Sequence, residues 1–125
     1  MSQNIYREEI MDHYTHPQNA FRPSVFTHSW REKNVHCGDE ITVYLNVDKN
    51  ILQSIHYEAK GCAISIASAS ILSGALRGKL LAEIELLNGT SVLKFLEIDL
   101  TPSRLSCAYL AVEAIKKALF FQKGV

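Results

Sequence analysis

The stretch EITVYLNVDKNILQSIHYEA (residues 40–59) decides the fold of this chain. Its first half alternates apolar and mostly polar residues, the two-residue period of a half-buried strand. A second strand is predicted over Ile51–Ala59, with these residues on one side: Ile51, Ile55 and Tyr57. The short turn Asp48-Lys49-Asn50 between the two strands predicts an antiparallel hairpin.

Helical patterns flank this hairpin. Helices are predicted over Ile5–Thr15, Ile64–Leu76, Lys79–Leu87, Ser91–Phe95 and Thr101–Phe121. Asn4 is the predicted N-cap of the first helix, and a weak strand is predicted over Val25–Arg31. Helices segregated from antiparallel strands are typical of α+β proteins. We therefore predict an α+β fold with a small three-stranded antiparallel sheet and helices packed on one face.

Composition limits the class of protein. The 125 residues predict one domain, and 47% hydrophobic with 21% charged residues is an ordinary globular mixture. The formal net charge is zero, whereas nucleic-acid binders usually have a basic excess, so no nucleic-acid partner is predicted. No apolar run approaches the roughly 20 residues that span a bilayer, and the polar N-terminus lacks a signal peptide's apolar stretch. We predict a cytoplasmic protein with no membrane partner.

The three cysteines, Cys37, Cys62 and Cys107, are the first candidates for chemistry. Their odd number disfavours a disulfide framework, and they contain no C-x-x-C pair, so each alone is most often a small buried hydrophobe. The surroundings of two of these cysteines favour a reactive or metal-binding role. Cys37 and Cys62 adjoin glycines at predicted strand ends, and the helix N-terminus after Cys62 favours the thiolate.

Asp39 lies two residues after Cys37, where its carboxylate is either a fourth ligand or a turn residue. Three thiolates and a carboxylate suit zinc or an iron–sulfur cluster, and the residue types do not choose between them. Two further residues are candidates for supporting contacts around the bound group. Arg104 shares a helix face with Cys107, and His36 adjoins Cys37; the alternative for each is a solvated surface side chain.

Several motifs in fixed order carry a resemblance. They are Asp12-His13-Tyr14, His16-Pro17-Gln18-Asn19, Cys37-Gly38-Asp39, Gly61-Cys62-Ala63-Ile64-Ser65 and Arg104-Leu105-Ser106-Cys107. Together they resemble the U-type iron–sulfur cluster assembly scaffolds, the family of the NifU N-terminal domain, IscU and SufU.

The resemblance implies a single NifU-like N-terminal scaffold domain over residues 1–125 with a SufE/NifU-like fold. It implies that Cys37, Asp39, Cys62 and Cys107 bind a transient [2Fe–2S] cluster. Sulfur would come from a cysteine desulfurase, received on one of the three cysteines, and the cluster would pass to apo-proteins. On this interpretation the protein is a scaffold and not an enzyme. The alternative is a SufU-like sulfur acceptor that holds Zn²⁺ at the same residues and stimulates the desulfurase.

The chain departs from the family's branches in specific places. Ser106 stands where the IscU branch has a histidine before its third cysteine, so Asp39 is the predicted fourth ligand. Residues 98–103 replace that branch's Leu-Pro-Pro-Val-Lys motif, which argues against its dedicated chaperone. Arg104 three residues before Cys107 resembles SufU, whereas the short interval between Cys62 and Cys107 resembles IscU.

Overall fold

Four helices and three strands have both ends within the described part of the chain. The structure, a computed structural model, describes residues 2–34, 38–88, 91, 94 and 102–121, with side chains from residue 8 onward except those of 102–105. The elements are α1 (Ser2–Thr15), β1 (His28–Lys33), β2 (Glu40–Asp48), β3 (Ile51–Lys60), α2 (Ala63–Ala75), α3 (Leu81–Glu85) and α4 (Pro102–Phe120). The strands form one antiparallel sheet in the order β1-β2-β3, which confirms the predicted α+β fold.

The predicted hairpin is present, but one face assignment is wrong. Lys49 and Asn50 form the turn, both with positive φ (53° and 65°). The register shifts between Asn46 and Val47, so that Leu45 pairs with Ile55 but Val47 pairs with Leu52. This irregularity adds one residue to β3 and reverses the alternation of its side chains. Leu52 is therefore fully buried in place of the predicted Ile51, which is half-buried.

The core lies between the sheet and the two long helices α2 and α4. β2 and β3 contribute Val43, Leu45, Leu52 and Tyr57, each no more than 2% exposed, and Leu72, Leu76, Ala114 and Ile115 close over them from the helical side. Most of the stripe predicted for the last helix is buried; Leu119 is only half-buried, and the side chain of Leu105 lies outside the described residues. None of the described helices combines the length and apolarity that crossing a bilayer requires.

Several helices and strands begin at other residues than the sequence predicted. β1 begins at His28 and not at Val25, because its place is set by pairing with β2, where Trp30 faces Val43. Asn4 lies inside α1, so its prediction as N-cap is wrong. In the predicted helix Ser91–Phe95, only Ser91 and Lys94 belong to the described residues, and both are helical.

Hydroxyl groups of α2 attach α1 and the loop that follows it. Ser70 Oγ lies 2.7 Å from His13 Nδ1 and accepts a hydrogen bond from the backbone N–H of Gln18 at 2.9 Å. One turn on, Asn19 Nδ2 donates to Ser73 Oγ at 3.0 Å. The small residues of α2 thus serve two purposes, since they pack closely and also supply polar partners for α1.

We expect Ser70→Ala to lower the free energy of unfolding by about 1–3 kcal/mol, because it leaves partly buried groups of His13 and Gln18 without their partner. Ser68→Ala is the matched control: Ser68 is fully buried on the same helix, and its hydroxyl has no hydrogen-bond partner within the described residues. Its loss should be neutral or stabilising. Chemical denaturation of both variants measures the difference, and equal destabilisation would contradict this role for Ser70.

Candidate metal centre

The end of the β2–β3 ladder brings three predicted ligand residues together. Glu40 pairs with Lys60, so Asp39 just before β2 and Cys62 just after β3 lie on neighbouring chain segments. Cys107, in the early part of α4, approaches the same point. A carboxylate oxygen of Asp39 and the Sγ atoms of Cys62 and Cys107 all lie within 4.8 Å of one another.

A tight backbone turn sets the position of Asp39. Gly38 has φ +77°, a conformation that glycine adopts without strain, and its N–H donates to the carbonyl of Asn34 at 2.8 Å. The N–H of Asn34 donates in turn to the carbonyl of Asp39 at 2.8 Å. The aspartate is only 5% exposed, so its carboxylate faces the interior of the protein and not solvent.

The two described thiols differ in exposure. Cys62 is the N-cap of α2 with extended backbone (ψ 169°), its side chain makes no capping hydrogen bond, and it is half-buried. Cys107 is buried, at 4% exposed. Cys62 is therefore the more accessible thiol of this pair, and it stands at a helix N-terminus as the sequence predicted.

Ser65 and Gly61 contribute to the site, although neither was predicted to do so from the sequence. The Ser65 hydroxyl donates to Asp39 Oδ2 at 2.5 Å. A β-carbon on Gly61 would lie only 2.6 Å from Asp39 Cγ, so any side chain there would displace the carboxylate. The i, i+3 spacing from Cys62 to Ser65 at a helix start was the available signal for Ser65.

Three predicted residues are not tested. Cys37 and His36 lie outside the described residues, and Arg104 is described only as part of the α4 backbone. Their proposed roles stay predictions. Ser106, which stands in place of the histidine of the IscU branch, is exposed beside the buried Cys107.

Neighbouring carboxylates at the start of β2 have different partners. Glu40 accepts hydrogen bonds from Arg31 at 2.9 and 3.2 Å, and this contact lowers the pKa of Glu40. Lys33 lies 3.9 Å from the same carboxylate. Consecutive side chains of an extended chain point to opposite sides. Glu40 is thereby engaged by surface cations, while Asp39 turns inward to Ser65.

The donor set of Asp39, Cys62 and Cys107 suits a thiophilic metal. Zinc takes sulfur at about 2.3 Å and carboxylate oxygen at about 2.0–2.2 Å, and iron–sulfur clusters are held mainly by thiolates. Ligand atoms around a single zinc ion lie roughly 3–4 Å apart, so the separation of up to 4.8 Å between these atoms is close to that of a metal site. The group is a candidate site for either a metal ion or a cluster.

We expect Gly61→Ala to weaken Zn²⁺ binding by about tenfold or more, which is the usual loss when a supporting contact of a metal site is removed. The cause is the new methyl group, which would displace the Asp39 carboxylate. Gly74→Ala is the control, since a β-carbon there meets only Gln18 Oε1 at 4.0 Å. Gly74 lies within α2, so that change should leave affinity unaltered and raise stability by about 0.5–1 kcal/mol. Competition with a chromophoric chelator measures the affinity, and undiminished binding by Gly61→Ala would refute the expected displacement.

Sequence comparison identifies relatives along most of the chain. It is 33% identical to "Iron sulfur cluster assembly protein 1, mitochondrial" of Yarrowia lipolytica, over 95% of this chain and 67% of that protein. It is 31% identical to "Zinc-dependent sulfurtransferase SufU" of Bacillus subtilis, over 96% of this chain and 92% of that protein. It is 30% identical to "Iron-sulfur cluster assembly scaffold protein IscU" of Escherichia coli, over 91% of each chain.

Solved structures share the fold. A protein called FiSufU from thermophilic Fervidobacterium islandicum superposes with a TM-score of 0.78 at 26% identity, over 95% of this chain and 99% of that one. A NifU-like N-terminal protein from Brucella abortus gives a TM-score of 0.74 at 18% identity, over 92% of each chain, and supports the fold alone. The family model described as "NifU-like N terminal domain" matches residues 5–124. On the fold, the sequence relatives and this match, the chain belongs to the NifU-like N-terminal domain family.

Proposed function

We propose that this protein is a scaffold on which an iron–sulfur cluster is assembled and from which it is passed to apo-proteins. The observation that carries the proposal is the convergence of Asp39, Cys62 and Cys107 within 4.8 Å. Membership of the NifU-like N-terminal domain family and relatives that bear the names of assembly scaffolds support it. The cluster, a [2Fe–2S] unit, is cargo, so the protein is a carrier and not an enzyme, and residues 1–125 act as one scaffold domain.

Cys37 completes the proposed ligand set, because it lies two residues before Asp39 in the chain. Three thiolates and one carboxylate then hold the cluster. Carboxylate is a harder ligand than thiolate and suits iron in a cluster less well. A site with one such ligand holds its cluster less firmly than four thiolates would, which suits a protein that must give the cluster away.

Sulfur delivery requires an accessible thiolate, and we propose a cysteine desulfurase as the partner that supplies it. A scaffold thiolate attacks the outer sulfur of the desulfurase persulfide. A new S–S bond forms, the old one breaks, and the desulfurase cysteine leaves as a thiolate. Conversion of that sulfur to cluster sulfide takes two electrons from an external electron donor. Of the described thiols, half-buried Cys62 is better placed for this attack than buried Cys107.

The zinc-bound sulfur acceptor is the competing function. The relative that bears that name, from Bacillus subtilis, aligns over 147 positions, more than the 125 residues of this chain, so it has residues with no counterpart here. The alignment with the Escherichia coli scaffold takes only 123 positions. This difference favours the scaffold function, in agreement with the short interval between Cys62 and Cys107.

Protein partners fit the composition better than other macromolecules. A formal net charge of zero gives no electrostatic basis for nucleic-acid binding. Desulfurase and apo-protein recipients are therefore the proposed partners, without the dedicated chaperone of the IscU branch. The cytoplasmic location stays a prediction, since relatives with mitochondrial names also occur.

Iron and acid-labile sulfide in anaerobically purified protein test the proposal. We expect both in the wild type in equal amounts. In Asp39→Ala we expect a more firmly held cluster that transfers to an apo-ferredoxin several-fold more slowly, because the carboxylate, which suits cluster iron less well than a thiolate, is no longer there to give up its position to a thiolate of the recipient. Asp48→Ala, which removes an exposed carboxylate at the hairpin turn, is the control and should behave as the wild type.

Two results would contradict the scaffold function. Stoichiometric zinc without sulfide, reduced in Asp39→Ala, would favour the sulfur acceptor. Absence of both iron and zinc after reconstitution would contradict any metal-binding role of these cysteines. Cys62→Ser and Cys107→Ser should each abolish stable cluster loading, which separates ligand loss from the effect of the aspartate.

A further inference from the structure

One hydroxyl group contacts all three ligand residues that the structure describes. Ser65 Oγ lies 2.5 Å from Asp39 Oδ2, 3.7 Å from Cys62 Sγ and 3.3 Å from the carbonyl oxygen of Cys107. Ser65 itself is 4% exposed, so water does not compete for these contacts. It therefore stands at the centre of the site without being one of the predicted ligands.

We propose that Ser65 is a positioning residue that fixes the Asp39 carboxylate for metal coordination. This inference rests on the proposed function, since it assumes that Asp39 and the thiolates bind metal or cluster. It adds a residue that acts through Asp39 and does not touch the cargo.

The hydrogen-bond geometry assigns the single hydroxyl proton. A hydroxyl donates one hydrogen bond and accepts up to two. The contact with Asp39, at 2.5 Å, has the length of a charge-assisted bond, whereas the 3.3 Å contact with the Cys107 carbonyl is long. The proton therefore lies toward Asp39 Oδ2, and the oxygen of Ser65 is left to accept from the Cys62 thiol.

Both oxygens of the Asp39 carboxylate lie against neighbouring groups. Oδ2 is engaged by Ser65, and Oδ1 lies over Gly61, where a β-carbon would come within 2.8 Å of it. The carboxylate is thus held on one side by a hydroxyl and on the other by bare backbone. A carboxylate confined in this way has few orientations, and partners outside the coordination sphere orient ligands in the same way in metal sites generally.

The helix beneath gives the hydroxyl a fixed position. Ser65 is the third residue of α2, and the helix is anchored by Leu72 and Leu76, which are both fully buried in the core. Because α2 packs in the core and Ser65 contacts Asp39, the orientation of Asp39 is coupled to the main core and not only to its own loop.

Metal titration of apo-protein variants tests the proposal. Zn²⁺ affinity is measured by chelator competition, and Co²⁺ alone reports ligand geometry through its visible spectrum. We expect Ser65→Ala to bind Zn²⁺ roughly 10–100-fold more weakly and to shift the Co²⁺ bands. Ser65→Thr keeps the hydroxyl and should restore the Zn²⁺ affinity and the Co²⁺ spectrum. Ser65→Val, which has the shape of threonine but no hydroxyl, should restore neither. Ser68→Ala, one turn along α2, is the matched control for a buried serine and should bind as the wild type.

Measuring Ser65→Ala in Asp39→Ala protein separates a positioning role of Ser65 from a general structural effect. In Asp39→Ala protein, Ser65→Ala should change Zn²⁺ affinity less than twofold, because the residue through which it acts is gone. An equal loss in both backgrounds, or equal behaviour of the threonine and valine variants, would overturn the role of Ser65 while leaving the proposed function intact. Wild-type protein that binds neither metal nor cluster would overturn the proposed function and this inference with it.

Discussion

The register of the β2–β3 hairpin is the constraint on which the site depends. Pairing of Glu40 with Lys60 places the residue before β2 beside the residues after β3, so Asp39 meets Gly61 and Cys62. The turn at Lys49-Asn50 and the register shift near Asn46 fix that pairing. A slip of one residue would exchange the faces of a whole strand, so burial of the apolar face also holds the register. Core packing and site geometry therefore have the same origin.

Two helices complete what the hairpin begins. α2 starts at Ala63, so its first turn holds Cys62 and Ser65 at the end of the sheet. The same helix also packs in the core. α4 crosses the same region with Cys107 and Ala108 buried. The three candidate ligand residues thus come from separate parts of the chain. Cys62, at a helix N-terminus, is the more exposed of the two described thiols.

The sequence predicted the architecture well because its periodic patterns are strong. The hairpin, the α+β class and the long last helix follow from local patterns, whereas the start of β1 at His28 depends on pairing with a distant strand. The convergence of Asp39 with Cys62 and Cys107 was expected from the family resemblance, since spacing alone does not bring distant residues together. Ser65 was missed because a serine early in a helix is common, and only its distances to three other residues distinguish it.

The hydrogen bond from Ser65 ties the orientation of Asp39 to the helix that begins after Cys62. Removing it would leave a buried carboxylate oxygen without its hydroxyl donor, so the bond supports the affinity of the proposed site. Lability of the cargo would then come from the chemistry of the ligand and not from loose positioning, because a carboxylate is harder than a thiolate and suits iron in a cluster less well. A fixed but chemically weak fourth ligand is the property that distinguishes a site for transient binding from one built for permanent retention.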